Sequence, residues 1–139
     1  MSVTRIIETK GDEIVSLPPS ASVKDLIDLL SARKIGAVVV VDEGDLAGIV
    51  SERDVVRFLA DDGDLSAPIS QIMTTMVTTC GPKDEVRDLA TAMTQHRVRH
   101  LPVVDDGDLV AIVSIGDVVK ARLDELEAER DHLAGYVHG

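Results

Sequence analysis

Apolar positions change period several times along the chain, and each change marks an element. Residues 14–17 are a short apolar run closed by Pro18 and Pro19, read as a strand because proline removes ladder donors. Val23, Leu26, Ile27 and Leu30 then recur at helical i, i+3, i+4, i+7 spacing, behind Ser22 and Asp25 placed as a capping box. Residues 37–41 and 46–50 are continuous apolar runs around Glu43-Gly44-Asp45, a hairpin whose unbroken character predicts burial on both faces. Residues 51–59 read as a second helix with Val55, Val56 and Leu59 on one side. The order is strand, helix, hairpin, helix.

The polar stretch Asp61-Asp62-Gly63-Asp64 is a linker, and Ser66-Ala67-Pro68 predicts a short helix to about Met73. The same order then returns: a strand at 77–79, a helix with Val86, Leu89, Ala90 and Met93 along its stripe, a hairpin of 101–104 and 109–113 around Asp106-Gly107, and a last helix from about Ile115. Residues 19–57 align on 82–120 without a gap, at the constant offset of 63 that separates Asp54 from Asp117. Val23/Val86, Leu26/Leu89, Gly44/Gly107, Ser51/Ser114 and Val56/Val119 are among the matched pairs. A self-match at fixed period signals two copies of one supersecondary unit.

The expected fold class is α/β (α+β), with two pseudo-symmetric β-α-β-β-α repeats at 1–66 and 67–139 packed as one module. Each copy is too small to bury its own core, so a cleft between them is the natural place for a ligand. The last helix is expected to run to about Leu133, with Val119, Leu123, Leu126 and Leu133 along a seam in an alternating acidic and basic surface. Such a seam fits either a helix folded back on its own domain or self-association.

Composition narrows the function classes. At 139 residues and 45% apolar content the chain has the size of one compact domain. A formal charge of −11 argues against a nucleic-acid surface, which needs Lys and Arg to displace counterions. The lone Cys80 excludes an internal disulfide, no export signal is visible, and no apolar run approaches the ~18 residues of a membrane span, so a cytoplasmic location is expected. With Phe58 and Tyr136 as the only aromatic residues, any base-binding pocket must grip with aliphatic side chains and backbone.

The candidate chemistry repeats with the fold. Each second hairpin strand ends in Ser-x-x-Asp: Ser51-Glu52-Arg53-Asp54 and Ser114-Ile115-Gly116-Asp117. One reading is a helix cap, serine below and acid three residues on. The other is a ligand site, where hydroxyl, free N–H groups and helix dipole meet phosphate and the carboxylate accepts the two hydroxyls of a ribose. Gly48 and Ala111, three residues before the serines, leave room for a flat group, and Arg53 is a planar cation shaped for phosphate.

His96-Arg97-Val98-Arg99-His100 is a basic cluster in an acidic chain, matched in the first copy by Arg33-Lys34-Ile35-Gly36-Ala37. It reads either as compensation of a helix carboxy terminus or as an anion site. His96 and His100 are four apart, as metal ligands on a helix can be, but no carboxylate is spaced for zinc and no metal is expected. No phosphate-binding loop and no nucleophile-and-base pattern is visible, at Cys80 or elsewhere, so no enzymatic activity is expected.

The doubled order, with Gly-Ile-Val-Ser-Glu-Arg-Asp at 48–54 and Arg-His-Leu-Pro-Val-Val at 99–104, resembles a tandem pair of cystathionine-beta-synthase-type (CBS) domains, of the free-standing bacterial kind. Lys10-Gly11, Met73-Thr74 and the run from Ser114 to Lys120 carry the resemblance further. It implies a regulatory module binding AMP, ADP, ATP or NAD(H) in clefts between the repeats, with no catalytic cofactor. Asp54 and Asp117 would hold ribose hydroxyls, and Ser51, Ser114, Arg53 and Gly116 would contact ribose or phosphate. Lys10, Gly11, Ile35, Gly36, Ala37, Arg97, Arg99, His100, Leu101 and Pro102 would line the base or face phosphate. The resemblance also implies a homodimer and an unidentified downstream protein; the alternative is a structural dimerisation module without a small-molecule ligand.

Overall fold

The structure of the chain, a computed structural model, describes residues 1–138. By its contacts the chain divides into two compact units, one formed by Glu13–Val77 and the other by Met1–Asp12 together with the chain from Thr78 onward.

In the first unit β1 (Ser16–Leu17) pairs in parallel with β2 (Ala37–Asp42), which pairs antiparallel with β3 (Asp45–Ser51) in the order β1-β2-β3. Glu43 and Gly44 both have positive φ, 49° and 85°, so the two-residue turn has the hand that matches strand twist. α2 (Val23–Arg33) starts at a full capping box between Ser22 and Asp25 and buries Val23, Leu26 and Leu30. α3 (Glu52–Ala60) follows β3 directly. Val38, Val40 and Val50 join α2 and Ile69 in one core, while Val39, on the other side of the strand, is equally buried. β2 is thus buried on both faces, as its apolar run predicts.

The second unit repeats this with α4 (Val86–His96), β4 (His100–Asp105), β5 (Asp108–Ser114) and α5 (Ile115–His138). Both hairpins shift register at the same place, between Val40 and Val41 and between Val103 and Val104, so the copies agree down to an irregularity. They differ at the first strand. Residues 77–79, expected as a strand, form none; a single parallel bridge joins Cys80 to Val103, the counterpart of Leu17 on Val40. The chain turns away at once because the Gly81 N–H is taken by Asp84 Oδ2 at 2.8 Å.

Further departures have local causes. The expected strand at 14–17 keeps only its last two residues, and the expected helix at 66–73 is one 3-10 turn, Ile69–Gln71, entered from Pro68. Val55 is buried at 7% exposure, whereas Val56 and Leu59 face outward at 65% and 41%, because α3 meets its unit along a narrow stripe.

The amphipathic helix α1 (Val3–Lys10) has no antecedent in the periodicity of the repeats. Its Val3 and Ile6 enter the core of the second unit, beside Val86, Leu89 and Leu101. The segment that precedes the second repeat does the reciprocal thing, sending Ile69 into the core of the first. The exchange also satisfies backbone: the first helical N–H groups of α2 and α4, at Val23 and Val86, donate to Ala67 O at 2.9 Å and Met1 O at 3.0 Å. Each repeat is completed by the leader of the other.

Candidate functional site

The two tetrads occupy the strand-to-helix corners β3–α3 and β5–α5. Ser51 caps α3: its Oγ accepts the Asp54 N–H at 3.4 Å, and Asp54 Oδ2 accepts the Ser51 N–H at 2.8 Å and its hydroxyl at 3.1 Å. Ser114 and Asp117 repeat this, with Asp117 N to Ser114 Oγ at 3.2 Å and Ser114 N to Asp117 Oδ2 at 2.9 Å. The N–H of the first helical residue is also occupied, Glu52 N on Gly36 O at 3.0 Å and Ile115 N on Arg99 O at 2.8 Å.

These bonds use most of the orphan donors that make a helix start an anion site. The N–H groups of Arg53 and Gly116 are what the caps leave over. Capping is therefore real at both corners, and it also orients the acids. Each carboxylate is fixed through Oδ2 by its own main chain, while Oδ1 takes no hydrogen bond from the described residues. A carboxylate held by one oxygen and half-buried can accept further O–H or N–H donors without moving.

The surroundings of the corners differ. Gly48 does not keep open space for a flat ligand as its position suggests: a Cβ there would lie 2.7 Å from Thr74 O and 2.9 Å from Met73 Sδ. The chain itself fills that space, Ile49 and Thr74 exchanging N–H···O bonds of 3.0 and 2.9 Å. Ala111, its counterpart, carries its methyl in the core of the second unit. There the place of Met73 and Thr74 is taken by Lys10 and Gly11, at the end of α1.

Lys10 Nζ donates to Ile112 O at 2.9 Å and to Asp117 Oδ2 at 2.7 Å, with a third of the lysine side chain exposed. Burial pushes the Asp117 carboxyl up, but the hydrogen bond and charge of Lys10 together with the Ser114 hydrogen bonds outweigh it, and the group titrates below the ordinary carboxylate value. Asp54 has no such partner, and Arg53, exposed, makes no ion pair among the described residues.

The other expected site residues lie on several elements of the two units. Gly11 ends α1 with φ 94°, and Gly116 lies in α5 with space for a Cβ. Ile35 and Gly36 are half-buried between α2 and β2, and Ala37 is buried in β2. Arg97, with φ 53°, closes α4 just as Lys34, with φ 54°, closes α2, so these basic residues serve helix ends; Arg99 is exposed beside them. His96 ends α4 and His100 opens β4, so their four-residue spacing is not helical. Leu101 is core, and Pro102 is buried with its carbonyl accepting the Cys80 N–H at 3.0 Å.

An open groove of about 820 Å³ lies in the second unit between α1 and the loop 81–84. It touches Gly11 but none of the tetrad residues, and Glu8, Asp12, Asp84 and Asp105 make it acidic around Lys83. Negative walls repel phosphate. Cys80 is buried, and desolvation followed by the charge of Asp84 pushes its thiol up to about 12, which keeps it protonated and unreactive. Among the described residues no helix is long and apolar enough to cross a membrane, and no cluster of three His, Cys, Asp or Glu side chains could hold a metal ion.

Sequence reasoning missed one residue's role, the pairing of Lys10 with Asp117. The signal was available only through the leader exchange, since nothing in the spacing of residues 107 positions apart brings them together.

The CBS-domain family pattern matches the chain twice, at residues 6–61 and 69–124. Among solved structures, the CBS-domain containing protein ATU1752 from Agrobacterium tumefaciens is 41% identical with a TM-score of 0.85, over 88% of this chain and 99% of that one. The protein PAE2072 from Pyrobaculum aerophilum, complexed with AMP, is 29% identical with a TM-score of 0.77, over 84% and 89%. The CBS domain pair of protein MJ0100, in complex with 5′-methylthioadenosine and S-adenosyl-L-methionine, is 26% identical with a TM-score of 0.80, over 90% and 98%.

Proposed function

The chain belongs to the CBS-domain family as a tandem pair, and from that premise we propose that it is a cytoplasmic regulatory module that binds an adenosine-containing ligand at its Ser-x-x-Asp corners and performs no catalysis. The observation that carries this reading is the duplicated carboxylate, anchored by its own main chain through one oxygen and presenting the other, at the same corner of both units. A pair of vicinal hydroxyls is the ligand chemistry such an acceptor suits best. The ligands of PAE2072 and MJ0100, AMP in one and 5′-methylthioadenosine with S-adenosyl-L-methionine in the other, share the adenosine ribose and differ in charge. Ribose recognition is the common element that the tetrads would supply.

Binding to the folded chain alone at a hundred times the dissociation constant raises stability by about 2.7 kcal/mol. Melting across AMP, ADP, ATP, NADH and S-adenosylmethionine is therefore expected to show an upward shift with at least one of them, abolished by Asp54→Ala with Asp117→Ala. An unchanged melting temperature with every ligand sinks the reading.

A second reading, a structural module that only joins copies of itself, is favoured by one observation. Val119, Leu123, Leu126 and Leu133 stand about half exposed along α5, at 49%, 54%, 52% and 58%. We take this seam as the surface on which a second copy packs to form a homodimer under either reading. Dimerisation that ignores every nucleotide, combined with no melting shift, would favour the structural role alone.

A further inference from the structure

The two tetrads meet their leader segments differently, and the difference bears on how many ligands one chain holds. Ile49 and Ile112 are counterparts in the repeat, and each offers its carbonyl to the leader beside it. In the first unit that carbonyl is closed by a backbone group, Thr74 N at 2.9 Å, and the leader brings no charge. In the second it is closed by the Lys10 ammonium at 2.9 Å, which at the same time takes Asp117 Oδ2 at 2.7 Å. At the repeat offset Lys10 stands against Met73, which cannot do this.

The second donor to each Oδ2 is therefore unlike in kind. On Asp54 it is the Ser51 hydroxyl at 3.1 Å, a neutral donor that can rotate toward an incoming ligand. On Asp117 it is a charge-assisted bond, roughly twice as strong as a neutral one, from a group tied down by a second acceptor. Releasing Lys10 leaves Ile112 O without that donor and an ammionium without its counter-charge. A ribose whose two hydroxyls take both oxygens of the acid must displace the charged Lys10 from Oδ2 at Asp117, whereas at Asp54 it displaces only the Ser51 hydroxyl.

We infer that Lys10 is an internal competitor for the second tetrad, so that an adenosine-containing ligand fills the Asp54 corner first and gains the Asp117 corner only when the end of α1 lets go. This rests on the reading of the tetrads as ribose sites. Ligand occupancy of the second corner is then coupled to the position of α1, whose Val3 and Ile6 lie in the core of that unit. Filling it loosens a leader; filling the first does not.

Calorimetric titration of the full chain with AMP and with S-adenosylmethionine tests the inference. The wild type is expected to bind one equivalent tightly, Asp54→Ala to lose it and Asp117→Ala to keep it. Lys10→Met, which installs the residue that stands beside the first tetrad, is expected to raise the stoichiometry to two or to tighten the second event by about tenfold or more. Lys10→Arg, which keeps a cation, should behave as wild type, and Lys10→Gln serves if the methionine variant melts early. Two equal sites in the wild type overturn the inference, as does a folded Lys10→Met or Lys10→Gln chain with unchanged binding. Absence of binding by every variant and both ligands would instead remove the tetrad reading itself, and the inference with it.

Discussion

The corner at Ser51–Asp54 and the corner at Ser114–Asp117 share their serine and acid, their caps and the equivalent carbonyl that holds the first helical N–H. They part where the chain is not repeated. Beside the first corner the leader of the other copy runs as extended backbone, pairs with Ile49 and demands glycine at position 48. Beside the second it is a helix whose last side chain reaches over the strand to the acid. Duplication preserved the geometry of the acceptor, and the leaders set its electrostatics. Equivalent motifs in a tandem repeat are thus not equivalent sites, and the difference is carried by residues outside the aligned segment.

The strongest way to break the comparison is to remove the apolar anchor of each leader. Ile69 is fully buried and Ile6 nearly so, at 0% and 6% exposure, in corresponding places of the two cores. Ile69→Ala and Ile6→Ala are each expected to cost about 2–5 kcal/mol in denaturant unfolding, with Ile69→Ala at the larger end. A loss below about 1 kcal/mol at either site would mean that the leader exchange is not what completes that unit.

Much of this architecture is legible in the sequence. The capping box at Ser22, the stripes of α2 and α4 and the two hairpins follow from local chemistry, since each element's period and turn residues agree with its burial. The leaders are not legible. Val3 and Ile6 look like any short amphipathic turn, and only the core they enter, 80 residues or more along the chain at Val86 and Leu89, explains them. The acids of the site could be found because they recur; the lysine that distinguishes them could be reached only through the family resemblance, and its pairing with Asp117 could not be read because no lysine stands at the matching position, Met73. Gly48 illustrates the opposite failure, a glycine read as space for a ligand when the space belongs to Thr74.

That glycine gives the next test. Gly48→Ala places a methyl against Thr74 O and Met73 Sδ, contacts of 2.7 and 2.9 Å that force backbone to move, and is expected to cost about 1–3 kcal/mol. Ala111→Gly in the second unit removes a buried methyl without any clash and should cost about 1 kcal/mol. Urea titrations in which the two substitutions cost the same would show that the Ile49–Thr74 bridge does not constrain position 48.

A smaller effect separates the acids by pH. Because Lys10 helps to hold the folded-state pKa of Asp117 below its ordinary value of 3.8, the pair stabilises the fold above that pH and the contribution is lost as pH falls through the lower, folded value. Lys10→Met should therefore be less stable than wild type by about 1 kcal/mol or less near neutrality, the pair being partly exposed, and the gap should close in acid. A difference that persists undiminished at a pH well below 3.8 would place the contribution of Lys10 in its bond to Ile112 O rather than in the carboxylate.

A comparably small effect is expected at Cys80, the counterpart of Leu17 and the residue of its segment still paired with the sheet. Its thiol, buried and pushed up to about 12, should resist a thiol reagent at pH 8 in the folded chain and react only as the unit opens. Replacing it by Val changes little volume and should shift stability by less than about 1.5 kcal/mol. The labelling rate then reports the second unit alone: slowed by a ligand that fills the Asp117 corner with Lys10 in place, it would contradict the loosening of α1 that filling this corner is argued to bring, whereas faster labelling in Lys10→Met than in wild type, without ligand, would show the lysine holding the leader down.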